Sequence, residues 1–393
     1  MLDLIFDIYT LSVIVFVALL ALFFWFDRKN VQRQSVLLLR KTTKGKAFLT
    51  NLGRRFPRGW WVYGNLAVVV GFAASVFISI FLLSMVSEAL TAETAAPLAL
   101  VLPSPTSETI AVPGVMGVPF WYWIISIFAL ILVHEGSHGI MAAREKVRIK
   151  TLGWGAFLII PLAFVEPDEK QLQKERPMKQ LRVFAAGSFG NFVLAGVVLL
   201  VIAYSTPALF EPSGAGFTSL IEGYPAQGAN LTGTITRIGG YDISSPADLS
   251  AALDEMGPGR AVSITTMVRT ENGLEARFFS LTTAERPDNE PGGFIGIAPV
   301  YQDYTLREGT GDPEVIRFLF GSSPNFMGLF TFLFIINFGV GLFNLLPIGP
   351  LDGGRMWRIL LEKFAPRHSK AIMNGVTWVF FLVVVLLFAS AFI

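Results

Sequence analysis

His134, Glu135 and His138 form the pattern His-Glu-x-x-His inside the stretch from Phe120 to Ala143, which is otherwise almost entirely apolar. On a helix, two histidines four apart differ by roughly 40° around the axis, so both imidazoles face one way and can share one metal ion, with Glu135 beside them. The residue types suit metal-assisted hydrolysis: neutral imidazoles offer nitrogen lone pairs to zinc, and an adjacent carboxylate can carry protons. An ionisable side chain at the centre of a membrane-crossing helix costs about 2.5–3.5 kcal/mol on insertion scales, so Glu135 is expected to face a protein interior or a wet cavity. The remaining histidine, His368, lies in the basic stretch from Arg355 to Lys370, which reads as a solvated surface and not as a source of a third ligand.

A catalytic zinc takes three protein ligands and keeps a fourth position open, so the two histidines need a partner, and a carboxylate is the expected type. Asp352 is the best candidate. It closes the run Asn344-Leu-Leu-Pro-Ile-Gly-Pro-Leu-Asp-Gly-Gly-Arg, where prolines and glycines break an apolar helix and expose backbone that lipid would not satisfy. Broken backbone at membrane depth implies a polar cavity.

The elements that must position these residues follow from composition. With 53% hydrophobic residues, 15% charged residues and a mean hydropathy of +0.57, the 393-residue chain is too apolar for an ordinary soluble domain and is expected to cross a membrane several times. The absence of cysteine excludes disulfides, thiolate ligands and a cysteine nucleophile. Six stretches are long enough to span about 30 Å of hydrocarbon: roughly 8–26, 62–86, 120–143, 182–204, 326–347 and 371–392. The first has acidic residues before it and no cleavage site, so it is expected to remain as a span.

Lysine and arginine number ten from Arg28 to Arg58, none from Gly59 to Ala143, nine from Arg144 to Arg182 and five from Arg355 to Lys370. The positive-inside rule then places those three basic segments in the cytoplasm, with both termini and the long segment from about Tyr204 to Phe320 outside. Without interleaved aromatics or a folded basic domain, these segments fit lipid headgroups and not nucleic acid. The apolar but short and proline-interrupted run from Gly153 to Val165 is expected to dip into the membrane or lie on it. Glu166 beyond it reads as a surface carboxylate, with a spare zinc ligand or a gate residue as alternatives. The segment from Ser87 to Gly117 reads as a lid or linker.

Between Phe217 and Thr283 the composition changes to short β-prone runs with turn signals and one helical stretch, Ser245 to Met256. Gly-Tyr-Pro-Ala at Gly223–Ala226, the strand and Gly-Gly turn at Ile235–Gly240, a helix starting near Pro246 and the Gly-Pro-Gly before the next strand together resemble a PDZ domain. Such a domain implies a peptide ligand added to a sheet edge, or a filter on access.

The ordered motifs on the membrane-embedded part resemble the site-2 protease family of intramembrane zinc metalloproteases. They are His-Glu-x-x-His at His134–His138, Gly187-Ser-Phe-Gly-Asn191 in the following span, and Asn344-x-x-Pro leading to Leu-Asp-Gly at Asp352. The resemblance implies Zn2+ held by His134, His138 and Asp352, Glu135 as general base, and Asn344 and Asn191 near substrate or oxyanion. It also implies a re-entrant β-hairpin between the zinc helix and the next span, which could pair with an unwound substrate. The expected fold is a polytopic α-helical membrane protein of about six spans and one re-entrant segment, with a small extracytoplasmic β-rich PDZ-like domain. Its expected divisions are 1–117 (two N-terminal spans), 118–206 (zinc-motif span, re-entrant segment and glycine-asparagine span), 207–320 (extracytoplasmic, PDZ-like) and 321–393 (aspartate-motif span, cytoplasmic segment and last span). The implied activity is cleavage of membrane-anchored proteins within or near their transmembrane segment, in a cell membrane, with the active site toward the cytoplasm. The rival from another class is a metal-ion transporter or sensor built on the same His/Asp site. A catalytically idle peptide-binding scaffold is a third, and the intact Glu135 argues against it.

Overall fold

The computed structural model describes residues 8–392 apart from 35–36, 92–97, 158–159, 271–272, 288–289 and 324–325. The chain divides into two compact units, Met1–Leu199 with Phe332–Ile393, and Leu200–Thr331.

The first unit opens with an apolar helix, α1 (Ile8–Phe26), followed by a hairpin of β1 (Val31–Gln34) and β2 (Leu37–Thr42) within the basic segment. A short amphipathic helix, α2 (Lys46–Arg55), leads into the long α3 (Pro57–Thr91). Three short strands, β3 (Leu100–Ser104), β4 (Ile110–Val112) and β5 (Val115–Pro119), form a small sheet in order β3-β5-β4, so the segment expected as a lid or linker carries regular structure. The zinc-motif helix α4 (Phe120–Arg144) follows directly. Next come β6 (Ile149–Phe157) and β7 (Ile160–Pro167), an antiparallel pair that contains the expected short apolar run. Leu37–Thr42 pairs with Leu152–Phe157, so this hairpin is half of a four-stranded sheet in order β1-β2-β6-β7. Asp168 caps the one-turn α5 (Glu169–Leu172), accepting from the backbone N–H of Gln171, which holds its carboxyl below the usual carboxylate range. The 33-residue α6 (Pro177–Leu209) carries the glycine-asparagine motif.

In the second unit, β8 (Phe210–Leu220), the one-turn α7 (Pro225–Gly228), β9 (Thr234–Ile238), β10 (Tyr241–Asp242), α8 (Pro246–Met256), β11 (Ala261–Thr270), β12 (Gly273–Thr282), β13 (Ile297–Leu306) and α9 (Pro313–Phe320) follow in turn. The sheet runs β12-β11-β9-β8-β13, with β10 on β9. Gly239 and Gly240, with φ of 54° and 95°, make the two-residue turn that pairs Tyr241 with Ile238, a geometry in which both positions need positive φ. Ser245 accepts from the N–H of Asp248 to start α8, as the Ser-Pro boundary anticipates. Its apolar stripe Leu249, Leu253 and Met256 closes over Ile235, Ile238 and Ile264, each wholly buried and worth about 1.5–3 kcal/mol of hydrophobic stabilisation.

The chain completes the first unit with α10 (Leu329–Phe343), which belongs to it from Phe332 on, α11 (Asp352–Phe364) and α12 (Ser369–Ala389). Among the described residues, five helices are long and apolar enough to cross a membrane: Ile8–Phe26, Pro57–Val86, Phe120–Arg144, Pro177–Leu209 and Ser369–Ala389. Outward apolar side chains such as Leu19, Val69, Phe128, Leu132 and Leu382 suit contact with lipid. The set fits a multi-pass membrane protein. Where a sixth span was expected over 326–347, α10 has 15 residues and ends at Phe343, because Pro347, Gly349 and Pro350 turn the chain before α11.

Candidate metal centre

Three helices supply the candidate metal ligands and their supports. His134 and His138 lie one turn apart on α4, and Asp352 is the first residue of α11. The Nε2 atoms of the two histidines are 3.1 Å apart, and Oδ2 of Asp352 lies 3.3 Å from that of His134 and 3.2 Å from that of His138. The three side chains are 12%, 13% and 11% exposed. No hydrogen-bond donor among the described residues reaches Oδ2 of Asp352. A tetrahedral ion with bonds of about 2.0–2.1 Å sets its ligand atoms about 3.3 Å apart, so this triangle of two nitrogens and one oxygen fits a metal ion.

The orientation of each ligand has a local cause. Nδ1 of His138 lies 2.7 Å from the carbonyl oxygen of Val183, so Nδ1–H donates to it and Nε2 keeps its lone pair for the metal. Nδ1 of His134 faces the Asn191 amide, whose Nδ2 lies at 3.1 Å while its Oδ1 has no partner. A half-turn of that amide brings Oδ1 to Nδ1–H, satisfies both groups and leaves Nε2 of His134 free. Asn191 is fully buried, as this role requires. Gly187 explains the other end of its motif: a Cβ there would come within 2.3 Å of Nε2 of His138 and 2.8 Å of Cε1 of His134.

Asp352 is aimed by packing of backbone on backbone. A Cβ at Gly353 would meet the carbonyl oxygen of Leu345 at 2.0 Å, and one at Gly354 that of Ile348 at 2.1 Å. The Gly353 N–H donates to the carbonyl oxygen of Asn344 at 2.9 Å, which ties the start of α11 to the end of α10. The Asp-Gly-Gly run is therefore the part of the chain small enough to thread this turn.

Glu135 is half-buried, and its Oε2 accepts the Val165 N–H at 2.9 Å. Together with His134, His138, Asp352 and Asn344 it lines a cavity of about 420 Å³. The arrangement places a carboxylate, a candidate metal ion and an amide side chain around one space able to hold a peptide bond and a water.

A family model described as Peptidase family M50 matches residues 122–387, about two thirds of the chain. The chain belongs to peptidase family M50. Among relatives of this M50 chain, a Clostridium perfringens protein named provisionally as a zinc metalloprotease is 24% identical over 302 residues, covering 63% of this chain and 89% of the relative. A Staphylococcus aureus protein with the same provisional name is 24% identical over 263 residues, 53% of this chain and 58% of its own length. An uncharacterised protein of Methanocaldococcus jannaschii is 25% identical over 257 residues, 64% of this chain and 60% of its own.

In the M50 chain, Asn344 lines the cavity, whereas Asn191 sits behind His134. His368 precedes α12 and is no part of the donor set. Asn337, buried in α10, donates to the carbonyl oxygen of Leu333 in its own helix at 2.8 Å. Glu166 lines the cavity and accepts from the Thr151 hydroxyl at 2.7 Å and from Lys41 at 3.3 Å, outside the metal-ligating triangle. Two supports carried no side-chain signal, because the Val183 carbonyl and the Val165 N–H are backbone groups. Arg355, which also lines the cavity, was legible only as the last letter of Leu-Asp-Gly-Gly-Arg.

Proposed function

We propose that this M50 chain is an intramembrane zinc endopeptidase that hydrolyses peptide bonds within or near the membrane-spanning segment of anchored proteins. The observation that carries this is the meeting of His134, His138, Asp352 and Glu135 around one cavity walled in part by α4 and α6, two helices of membrane-crossing length and composition. Zinc, the metal in the names of the bacterial relatives, suits the two-nitrogen, one-oxygen donor set. When bound, zinc supplies Lewis acidity, which polarises a peptide carbonyl and eases ionisation of a water near neutral pH.

Glu135 is the general base. It takes a proton from the water as the water oxygen bonds to the peptide carbonyl carbon, then returns a proton to the leaving nitrogen as the C–N bond breaks. Asn344 offers a side-chain amide without a hydrogen-bond partner among the described residues, suited to the oxygen on which charge develops. Asn191 and the Val183 carbonyl hold the histidine rings in the metal-binding tautomer. The substrate must be locally unwound, because a helix hides its carbonyls from attack, so helix-breaking residues in a substrate favour cleavage.

The charge map supports a cell membrane location with the active site toward the cytoplasm and both termini outside. The β-rich unit, by the turn pattern that resembles a PDZ domain, reads as an extracytoplasmic module that binds peptide ends or filters access. The test is cleavage of a single-span substrate in detergent by wild-type protein and by Glu135→Gln, with zinc measured on both. Cleavage by the wild type and none by a zinc-loaded variant supports the reading. Retention of zinc without cleavage by either, together with metal flux in liposomes, favours a transporter instead.

A further inference from the structure

Helix α11 carries more than a metal ligand. Asp352, Arg355, Arg358 and Glu362 follow one another at spacings of three and four residues, which puts them on one face. Asp352 and Arg355 line the cavity that holds Glu135, whereas Arg355, Arg358 and Glu362 line a second cavity of about 500 Å³. Both cavities share the walls Leu172, Phe184 and Pro350. A groove therefore leads along α11 away from the metal ligands.

The two arginines in this groove differ from those nearby. Arg182 pairs with the buried Glu145 at 3.1 Å and Arg144 with the same carboxylate at 2.5 Å, so both of those guanidinium groups are tied to an acid of the protein itself. Neither Arg355 nor Arg358 has an ion-pair or side-chain hydrogen-bond partner among the described residues. Glu169 and Glu362 line the same groove and engage neither of them. The Arg355 guanidinium is also held in place, 5.3 Å from the centre of the Phe184 ring, a cation–π contact that leaves its hydrogen-bond fork free. Its backbone is fixed by the close packing of Gly353 and Gly354 against the preceding turn.

We propose that Arg355, seconded by Arg358, is a specificity-determining receptor for an acidic side chain that flanks the scissile bond of the substrate. A planar guanidinium with open donors binds a carboxylate through two parallel hydrogen bonds, a geometry that neither an amide nor a cation can match. The substrate end running along α11 is thereby set in register with Glu135 and the metal ligands. This inference rests on the proteolytic reading of the same site and adds the sequence feature the site selects.

The experiment measures binding apart from cleavage. The full chain carrying Glu135→Gln is purified in detergent, and fluorescence anisotropy follows a labelled Leu/Ala-rich peptide with a central Gly-Pro break. A single Glu is placed in turn at each of the positions flanking the break, with a matched Gln peptide for each. At one position the Glu peptide is expected to bind about tenfold more tightly or better, the range of a charge-assisted hydrogen bond, with the advantage shrinking as salt rises. Arg355→Gln is expected to abolish that advantage while leaving Gln-peptide binding and zinc content in place, and Arg355→Glu to favour a Lys peptide instead. Arg358→Gln reduces the advantage in part. The proposal is overturned if no position favours Glu, if the preference survives Arg355→Gln, or if that variant weakens Glu and Gln peptides equally. Cleavage by the wild type is scored separately, so its failure counts against the protease reading while the binding comparison still decides the role of Arg355.

Discussion

Replacing Gly187 by alanine sets two effects of opposite sign against each other. In a helix interior, alanine is favoured over glycine by about 1 kcal/mol, so the change alone would stabilise α6. The added Cβ, however, lands 2.3 Å from Nε2 of His138 and 2.8 Å from Cε1 of His134, about 1 Å inside an ordinary contact for the nearer atom. Overpacking of this kind costs about 1–3 kcal/mol, and the atoms that must yield are those that meet the metal. Metal–ligand distances tolerate about 0.2 Å, so a shift of several tenths of an ångström takes the site out of range. We expect zinc affinity to fall about 100-fold or more, equivalent to about 2.7 kcal/mol, with cleavage falling alongside it. Gly196 on the same helix is the matched control, since a Cβ there meets nothing within 4 Å; its alanine variant should keep zinc and be as stable as wild type or more so. Metal content by mass spectrometry and affinity by chelator competition read both variants. Wild-type zinc affinity in Gly187→Ala would refute the close approach of α6 to the histidines.

Three further outcomes are expected. Glu135→Gln should bind zinc with wild-type affinity yet lower kcat by about 10²- to 10⁴-fold, the usual range for loss of a general base, in a cleavage assay. Asn191→Ala removes the partner of Nδ1 of His134 and should weaken zinc about 10- to 100-fold in the same chelator competition, without changing the donor set. Ile264→Ala, at a wholly buried position in the β-rich unit, should destabilise that unit by about 2–5 kcal/mol by hydrogen exchange while leaving zinc affinity unchanged.

The candidate metal site was legible because its parts are side chains at fixed intervals. His134 and His138 announce a shared face, and the breakers around Asp352 announce a turn that must be tightly packed. The hydrophobic runs located five membrane-length helices, and the Ser-Pro boundary located the start of α8. Three features were not legible, each for a physical reason. The Val183 carbonyl and Val165 N–H act through backbone, which every residue possesses. The shortness of α10 comes from both ends, since it starts at Leu329 and stops at Phe343, and a hydropathy window averages over the apolar residues just outside it. The strands β1 and β2 sit in a run dominated by its positive charge, and their pairing depends on a partner more than a hundred residues away.

That last pairing alters how the N-terminal region relates to the site. Residues before 122 lie outside the stretch matched to the M50 model and contain no motif with chemistry of its own. Yet Leu49 of α2 reaches a spot 2.9 Å from where a Cβ of Gly139 would stand, and Gly53 lets α2 approach the Ile140 carbonyl, so α2 packs onto the helix that carries the histidines. From α1, Phe23 and Phe24 set their ring centres 4.9 and 5.5 Å from that of Trp154 on β6. The edge of β6 that an isolated hairpin would leave open is covered by β2 over Leu152–Phe157. On the far side of the pair, β7 has no strand partner beyond β6 among the described residues, and its Val165 N–H meets Glu135. The free edge of β7 thus lies beside Glu135, while the N-terminal strands hold that hairpin from behind. The first part of the chain thus acts on the site through packing and strand register, properties that no local motif can carry.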